Sequence, residues 1–263
     1  MRQHVLTVIF SIAVFFTFTA FGDNGRTLLS KKQLIPDAQM EEFALRLNNT
    51  NLSETDRLDL EQQLGGVPTN MEIYQLEQPL LDLDNFDFQN SNNRSLTERV
   101  DEFIIVGKKI IDLVSEGEPV RTLSTDTLSV LPFEFKDGEY NILETENWRS
   151  PVGRSYQIVY KNLYGIAVVD FTFSVGSSYG GSHQGKGRYL HGIYASPKNL
   201  LLRWGFDFDA KSELETVTNL GTKENPVVGA TMVLKYEVSN ILNSSYREER
   251  FLITGRGDIQ YLP

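Results

Sequence analysis

Apolar and polar side chains alternate along much of this chain, most regularly across residues 166–175. There Ala167, Val169, Phe171, Phe173 and Val175 interleave with Ile166, Val168, Asp170, Thr172 and Ser174, the two-residue period of a half-buried strand. Similar runs flank it. Tyr156, Ile158 and Tyr160 share a face before it, and Tyr189, His191, Ile193 and Ala195 share one after it. Ser196-Pro197-Lys198-Asn199 reads as a turn, followed by Leu200, Leu202, Trp204, Phe206 and Phe208 on one face of a further strand. Residues 227–240 alternate again, and residues 247–254 and 259–262 close the chain around a Gly255-Arg256-Gly257-Asp258 turn. Asp137-Gly138 between two short apolar runs is a strong hairpin signal. The pattern predicts eight to ten short strands with no helix between them, hence an antiparallel β-sandwich or a barrel-like sheet. Charges on the outer strand faces, such as Lys235 and Glu237, argue against a lipid-facing barrel.

The period changes toward the amino terminus. Residues 37–47 and 53–64 carry helical spacing with Asp37 and Ser53 at the starts and Gly65-Gly66 as a stop. Residues 95–115 give the longest helical pattern: Ser95 and Glu98 form a capping box, and Leu96, Val100, Phe103, Ile104, Gly107, Ile110, Ile111 and Val114 make one stripe. The expected organisation is a signal peptide (1–22), an acidic, partly helical or flexible arm (23–94), an amphipathic helix packed on a sheet (95–118) and an antiparallel β domain (119–263). The fold class is therefore mainly β with an amino-terminal helical segment, α+β overall.

Composition narrows the compartment and partners. A basic start at Arg2, an apolar run over residues 5–18 and Ala20-Phe21-Gly22 have the form of a cleavable secretory signal, too short to be a comfortable membrane span. With no transmembrane segment left after cleavage and no cysteine to form a disulfide, the chain reads as a periplasmic or secreted bacterial protein. Its formal charge is −10, and residues 23–118 hold 9 basic against 19 acidic side chains. So acidic a chain argues against nucleic acid and against an anionic membrane surface as partners.

Candidate chemistry is sparse. Residues 180–187 approach the phosphate-loop pattern, but Gly187 stands where a hydroxyl is required and a strand follows where a helix should. Asp82, Asp84 and Asp87 form an acidic cluster without the glycine and closing glutamate of a calcium loop. Without cysteine a zinc site would need both His183 and His191 plus carboxylates, and no Gly-x-Ser-x-Gly elbow is present. Asp207 and Asp209, two apart on a strand, stand about 6–7 Å from one another, within the range used by paired glycosidase carboxylates. The glycine-rich stretch 176–187 reads as a mobile hairpin tip with Tyr179, His183, Lys186 and Arg188 reaching outward.

Residues 107–120, Tyr179-Gly180-Gly181-Ser182, Gly185-Lys186-Gly187 with Tyr189-Leu190, Trp204-Gly205 and residues 221–226 together resemble a group of exported, β-rich bacterial proteins of no known activity. The likeness runs from about residue 95 to the end and implies export and a β-rich body, and it brings no reaction with it. The expected function is a non-enzymatic binding module of the bacterial envelope or secretome. Its partner would be an envelope protein or a carbohydrate, met through Tyr179, His183, Lys186 and Arg188, with no cofactor and no metal. The alternatives are a glycoside-active enzyme using Asp207 and Asp209, and a structural envelope protein with an acidic interaction arm.

Overall fold

The computed structural model describes residues 25–47, 52–65, 67–77, 98–100, 102–107, 110–115, 117–119, 128–132, 144–240 and 244–263. In chain order the elements are β1 (Arg26–Gln33), α1 (Asp37–Leu47), α2 (Glu54–Gly65), β2 (Pro68–Leu76), β3 (Glu98–Val100), β4 (Phe103–Val106), β5 (Ile110–Ser115), β6 (Glu118–Pro119) and β7 (Leu128–Pro132). They continue with β8 (Arg149–Asn162), β9 (Ala167–His183), β10 (Lys186–Leu202), β11 (Phe206–Asn219), β12 (Val228–Asn240), β13 (Ser244–Thr254) and β14 (Ile259–Leu262). An eight-stranded sheet runs β1-β2-β8-β9-β10-β7-β4-β3, and a six-stranded sheet runs β14-β13-β12-β11-β5-β6. All named strand pairs are antiparallel. The mainly-β, two-sheet architecture and the two short helices agree with the sequence pattern.

The two sheets meet along an aromatic seam. Phe171 and Phe173, on β9, reach across to Phe208 (ring centroids 5.0 Å) and Phe251 (5.7 Å). Tyr156 lies 4.6 Å from Phe251, and Tyr160 meets Tyr236 edge-on at 6.4 Å. These rings are essentially inaccessible to solvent, and each such pair contributes about 0.5–1.5 kcal/mol beyond the area it buries. The outer faces are polar lattices instead. On the larger sheet, Glu72 is bracketed by Lys31, Lys161 and the Tyr74 hydroxyl. Burial works to raise its pKa, but these donors overcome it and hold the carboxyl down at about 2. On the smaller sheet Arg250 pairs with Glu215 and Glu248, and Lys235 with Glu213.

Four local expectations differ from the structure. The stretch 95–115 is not a helix: its described residues form β3, β4 and β5. Ile104, Ile105, Val106, Ile110, Ile111 and Val114 are β-branched, which favours the pleated strand, and Gly107 at φ 108° breaks any helical path. The stripe arises because β4 lies in the larger sheet and β5 in the smaller, each burying its own apolar residues. Residues 26–33, expected in a flexible arm, pair along β2 as an edge strand. Ser196-Pro197-Lys198-Asn199 is not a turn but a register shift inside β10, a bulge where the proline needs no ladder donor. Trp204, expected on the core face, sits in the turn between β10 and β11 with 90% of its surface exposed. The Asp137-Gly138 hairpin, the Asp82–Asp84–Asp87 cluster and the signal peptide lie outside the described residues.

The glycine-rich stretch is likewise strand rather than loop. β9 and β10 are each 17 residues long and are joined at Gln184 and Gly185, whose φ values of 52° and 72° form a tight left-handed turn. The other glycines make room for rings: a Cβ at Gly181 would stand 2.3 Å from Trp148, and one at Gly187 2.4 Å from Tyr189. We therefore expect Gly181→Ala to lower stability by about 1–3 kcal/mol through overpacking against Trp148. Gly185→Asn, a residue that tolerates a left-handed turn with open space around it, should stay close to wild type. Urea unfolding of the two variants checks this, and equal losses would refute the assignment of Gly181 to a packing role.

Candidate functional site

The long strands separate two ends of the sandwich by about 50 Å, given about 3.3 Å per residue. The four contact residues expected from the sequence all lie toward the β9–β10 turn. His183 and Lys186 pair across the turn itself, and His183 Nδ1 lies 3.1 Å from the Glu144 carbonyl oxygen. Tyr179 is half-buried with its ring against Gly257, in the β13–β14 turn, and the Arg188 carbonyl packs on Gly255 of the same turn. These residues share an end but serve as strand and turn material. The Gly185 N–H donates to Glu146 and the Gly187 N–H to Asn225, which ties the hairpin to its neighbours.

Asp207 and Asp209 do share a face, as their spacing predicts. That face is the open outer surface of the smaller sheet, where they pair with Ser239 and Glu237, while Phe206 and Phe208 point inward. Among the described residues no aromatic wall or cavity surrounds the two carboxylates. His191 is buried, with Nδ1 2.9 Å from Ser129 Oγ and its ring 5.7 Å from Trp148. Ser129 Oγ also accepts the Gly192 N–H. Burial pushes the imidazole down to about 4, so it is neutral at neutral pH and acts as a core hydrogen-bonding group.

The opposite end carries features the strand pattern did not announce. α1 and α2 form the connection between β1 and β2, and the Asn162 side-chain amide donates to the Gly65 carbonyl at the end of α2. The turn Arg203-Trp204-Gly205 carries the chain from one sheet to the other. Arg203 pins it by donating from Nε to the Ala167 carbonyl (2.7 Å) and from its backbone to that of Val168 (3.0 Å). Gly205 supplies the left-handed φ of 87°. Tyr164, Ile166, Leu201 and Trp204 are exposed here, as are Leu45 and Leu58 on the two helices.

A cavity of about 360 Å³ opens at the same end, bounded by Leu34, Ile35, Pro68, Phe206 and the facing stretches of β12 and β13. Its inner wall is polar because β13 brings Ser245 and Arg247 to it, in line with the buried Glu249, Phe251 and Ile253 deeper in the sandwich. Glu249 is well provided with donors: it accepts from Tyr261 (2.6 Å), Tyr236 (3.1 Å) and Lys32 (3.3 Å). Arg247 differs. Its Nε is buried and has no hydrogen-bond partner among the described residues, and it makes no ion pair among them. The fully buried Tyr160 lies close by. Burial raises its phenol to about 12, the Arg247 charge working in the opposite sense. The sequence signal that pointed here was weak, since both faces of β13 carry charged residues and alternation alone does not say which one is inside.

Comparison with known protein families, with curated proteins and with solved structures finds no match to this chain.

The buried imidazole has a measurable consequence. The pKa of His191 is depressed in the fold, so its contribution to stability is complete above its ordinary pKa of 6.5 and is lost as the pH falls through that value toward 4. The loss expected over that window is on the order of 3 kcal/mol. Wild-type melting temperature should therefore fall between pH 7 and 4, and His191→Gln should flatten the curve in that range. Parallel curves for the two proteins would contradict the assignment.

Proposed function

We propose that this protein is an exported, non-enzymatic binding module that meets its partner with the helix-bearing end of the sandwich. The observation that carries this reading is the concentration of exposed apolar side chains there: Leu45, Leu58, Tyr164, Ile166, Leu201 and Trp204. Exposed apolar groups gathered at one end of a fold mark interaction sites, and tryptophan and tyrosine supply a disproportionate share of interface energy. The turn that bears Trp204 is held in advance by the Arg203 hydrogen bonds, which lowers the backbone ordering cost of using it as an anchor. Export is supported by the apolar run at residues 5–18 and by the cysteine-free composition.

No observation favours the glycosidase reading, because Asp207 and Asp209 lie on an open sheet face. The β9–β10 hairpin is less suited than the helix-bearing end, since its glycines are occupied by packing against Trp148 and Tyr189.

A photo-crosslinking amino acid placed at position 204 tests the proposal in the cell that produces the protein. A discrete adduct from position 204, weakened when Ile166→Ser is added and missing when the probe sits at position 184, is the expected result. Equal adducts from the two ends would overturn it.

A further inference from the structure

The cavity wall beside the apolar end contains an arginine whose Nε is buried without a hydrogen-bond partner among the described residues. We propose that the cavity holding Arg247 binds a single carboxylate group, with the guanidinium as its charge partner. The inference rests on the reading of this end as the binding end, and assigns the chemistry it recognises.

Three observations converge. Arg247 is partly buried at the cavity wall, and its Nε is a buried donor without an acceptor among the described residues, whereas buried donors are satisfied in nearly all folded proteins. The neighbouring acid does not supply that acceptor, because Glu249 already accepts three donors and its charge is balanced by Lys32. Lys32 and Glu249 cancel, so Arg247 is left as one uncompensated positive charge, which matches a monoanion rather than a dianion. Finally, the cavity is about 360 Å³, at the small end of the range for ligand sites, and combines apolar Leu34, Ile35 and Phe206 with a polar inner wall. A planar guanidinium presents its donors in the fork that suits a carboxylate. The carboxylate can come from a small free acid or from the chain terminus of a polypeptide whose apolar side chains rest on the exposed end.

The experiment uses the full chain labelled with ¹⁵N, following the Arg247 Nε–H and the Ser245 amide during titration with sodium acetate up to about 100 mM. Sodium chloride at matched ionic strength and sodium phosphate serve as controls. A saturable acetate shift, absent with chloride and reduced at least about tenfold in Arg247→Met but retained in Arg247→Lys, supports the proposal. Melting temperatures establish that the variants are folded, and the wild-type comparison of acetate with chloride stands without them. No saturable acetate shift, the same shift from chloride, or tighter binding of phosphate than acetate would each overturn it. A short peptide ending in leucine, as free acid and as amide, distinguishes the sources. Preference for the free peptide acid over acetate identifies a chain terminus, and equal affinity identifies a small acid. Acetate titration does not depend on the crosslinking partner, so failure to obtain a discrete adduct from position 204 together with a saturable acetate shift in the wild type counts against the proposed function alone.

Discussion

The aromatic contact between the sheets is the constraint on which the rest of the molecule depends. Phe171, Phe173, Tyr156 and Tyr160 come from adjacent strands of the larger sheet, and Phe208, Tyr236 and Phe251 from adjacent strands of the smaller one. Large rings at facing positions fix the spacing and register of the sheets together, because an interior at crystal-like density leaves no slack for a one-residue slip. With no disulfide to hold them, the two layers are joined by this seam and by polar ties at the open side, of which Lys32 to Glu249 is one.

The same packing accounts for the division of labour between the ends. Toward the β9–β10 turn, glycines let Trp148, Tyr189 and Tyr179 lie flat on neighbouring backbone, so aromatic surface is consumed internally. Toward the helices the seam runs out: the strands end, the interior wall becomes Ser245, Arg247 and Glu249, and the apolar groups of the turns and helices remain outside. A cavity therefore forms beside exposed aromatics without any single element being designed around it.

Much of this was legible in advance. The alternation at β9, β12 and β14 and the helices at residues 37–47 and 54–65 follow directly from spacing and turn chemistry. Residues 95–115 misled because two strands destined for different sheets, each with a buried face, add up to helical periodicity when read as one segment. The β-branched residues and Gly107 were the signals pointing the other way. Trp204 misled for a related reason: alternation continued through it, while the backbone reversed at Gly205. At the carboxylate site, Ser245, Arg247 and Glu249 alternate with Tyr246, Glu248 and Arg250, so a polar face opposes a polar face and periodicity is silent.

By itself the sequence determined the class of the fold, since a two-residue period repeated over many short segments is satisfied by sheets that bury one face against another sheet or against themselves. It also determined that Asp207 and Asp209 would share a face. Only the tertiary structure decided which strands belong to which sheet, that the glycine-rich stretch is ladder rather than loop, and that Arg247 points inward while Trp204 points out. The physical reason is that alternation records only that successive side chains face opposite ways. The face that becomes interior, and the interior group left without a partner, are fixed by contacts between residues far apart in the chain.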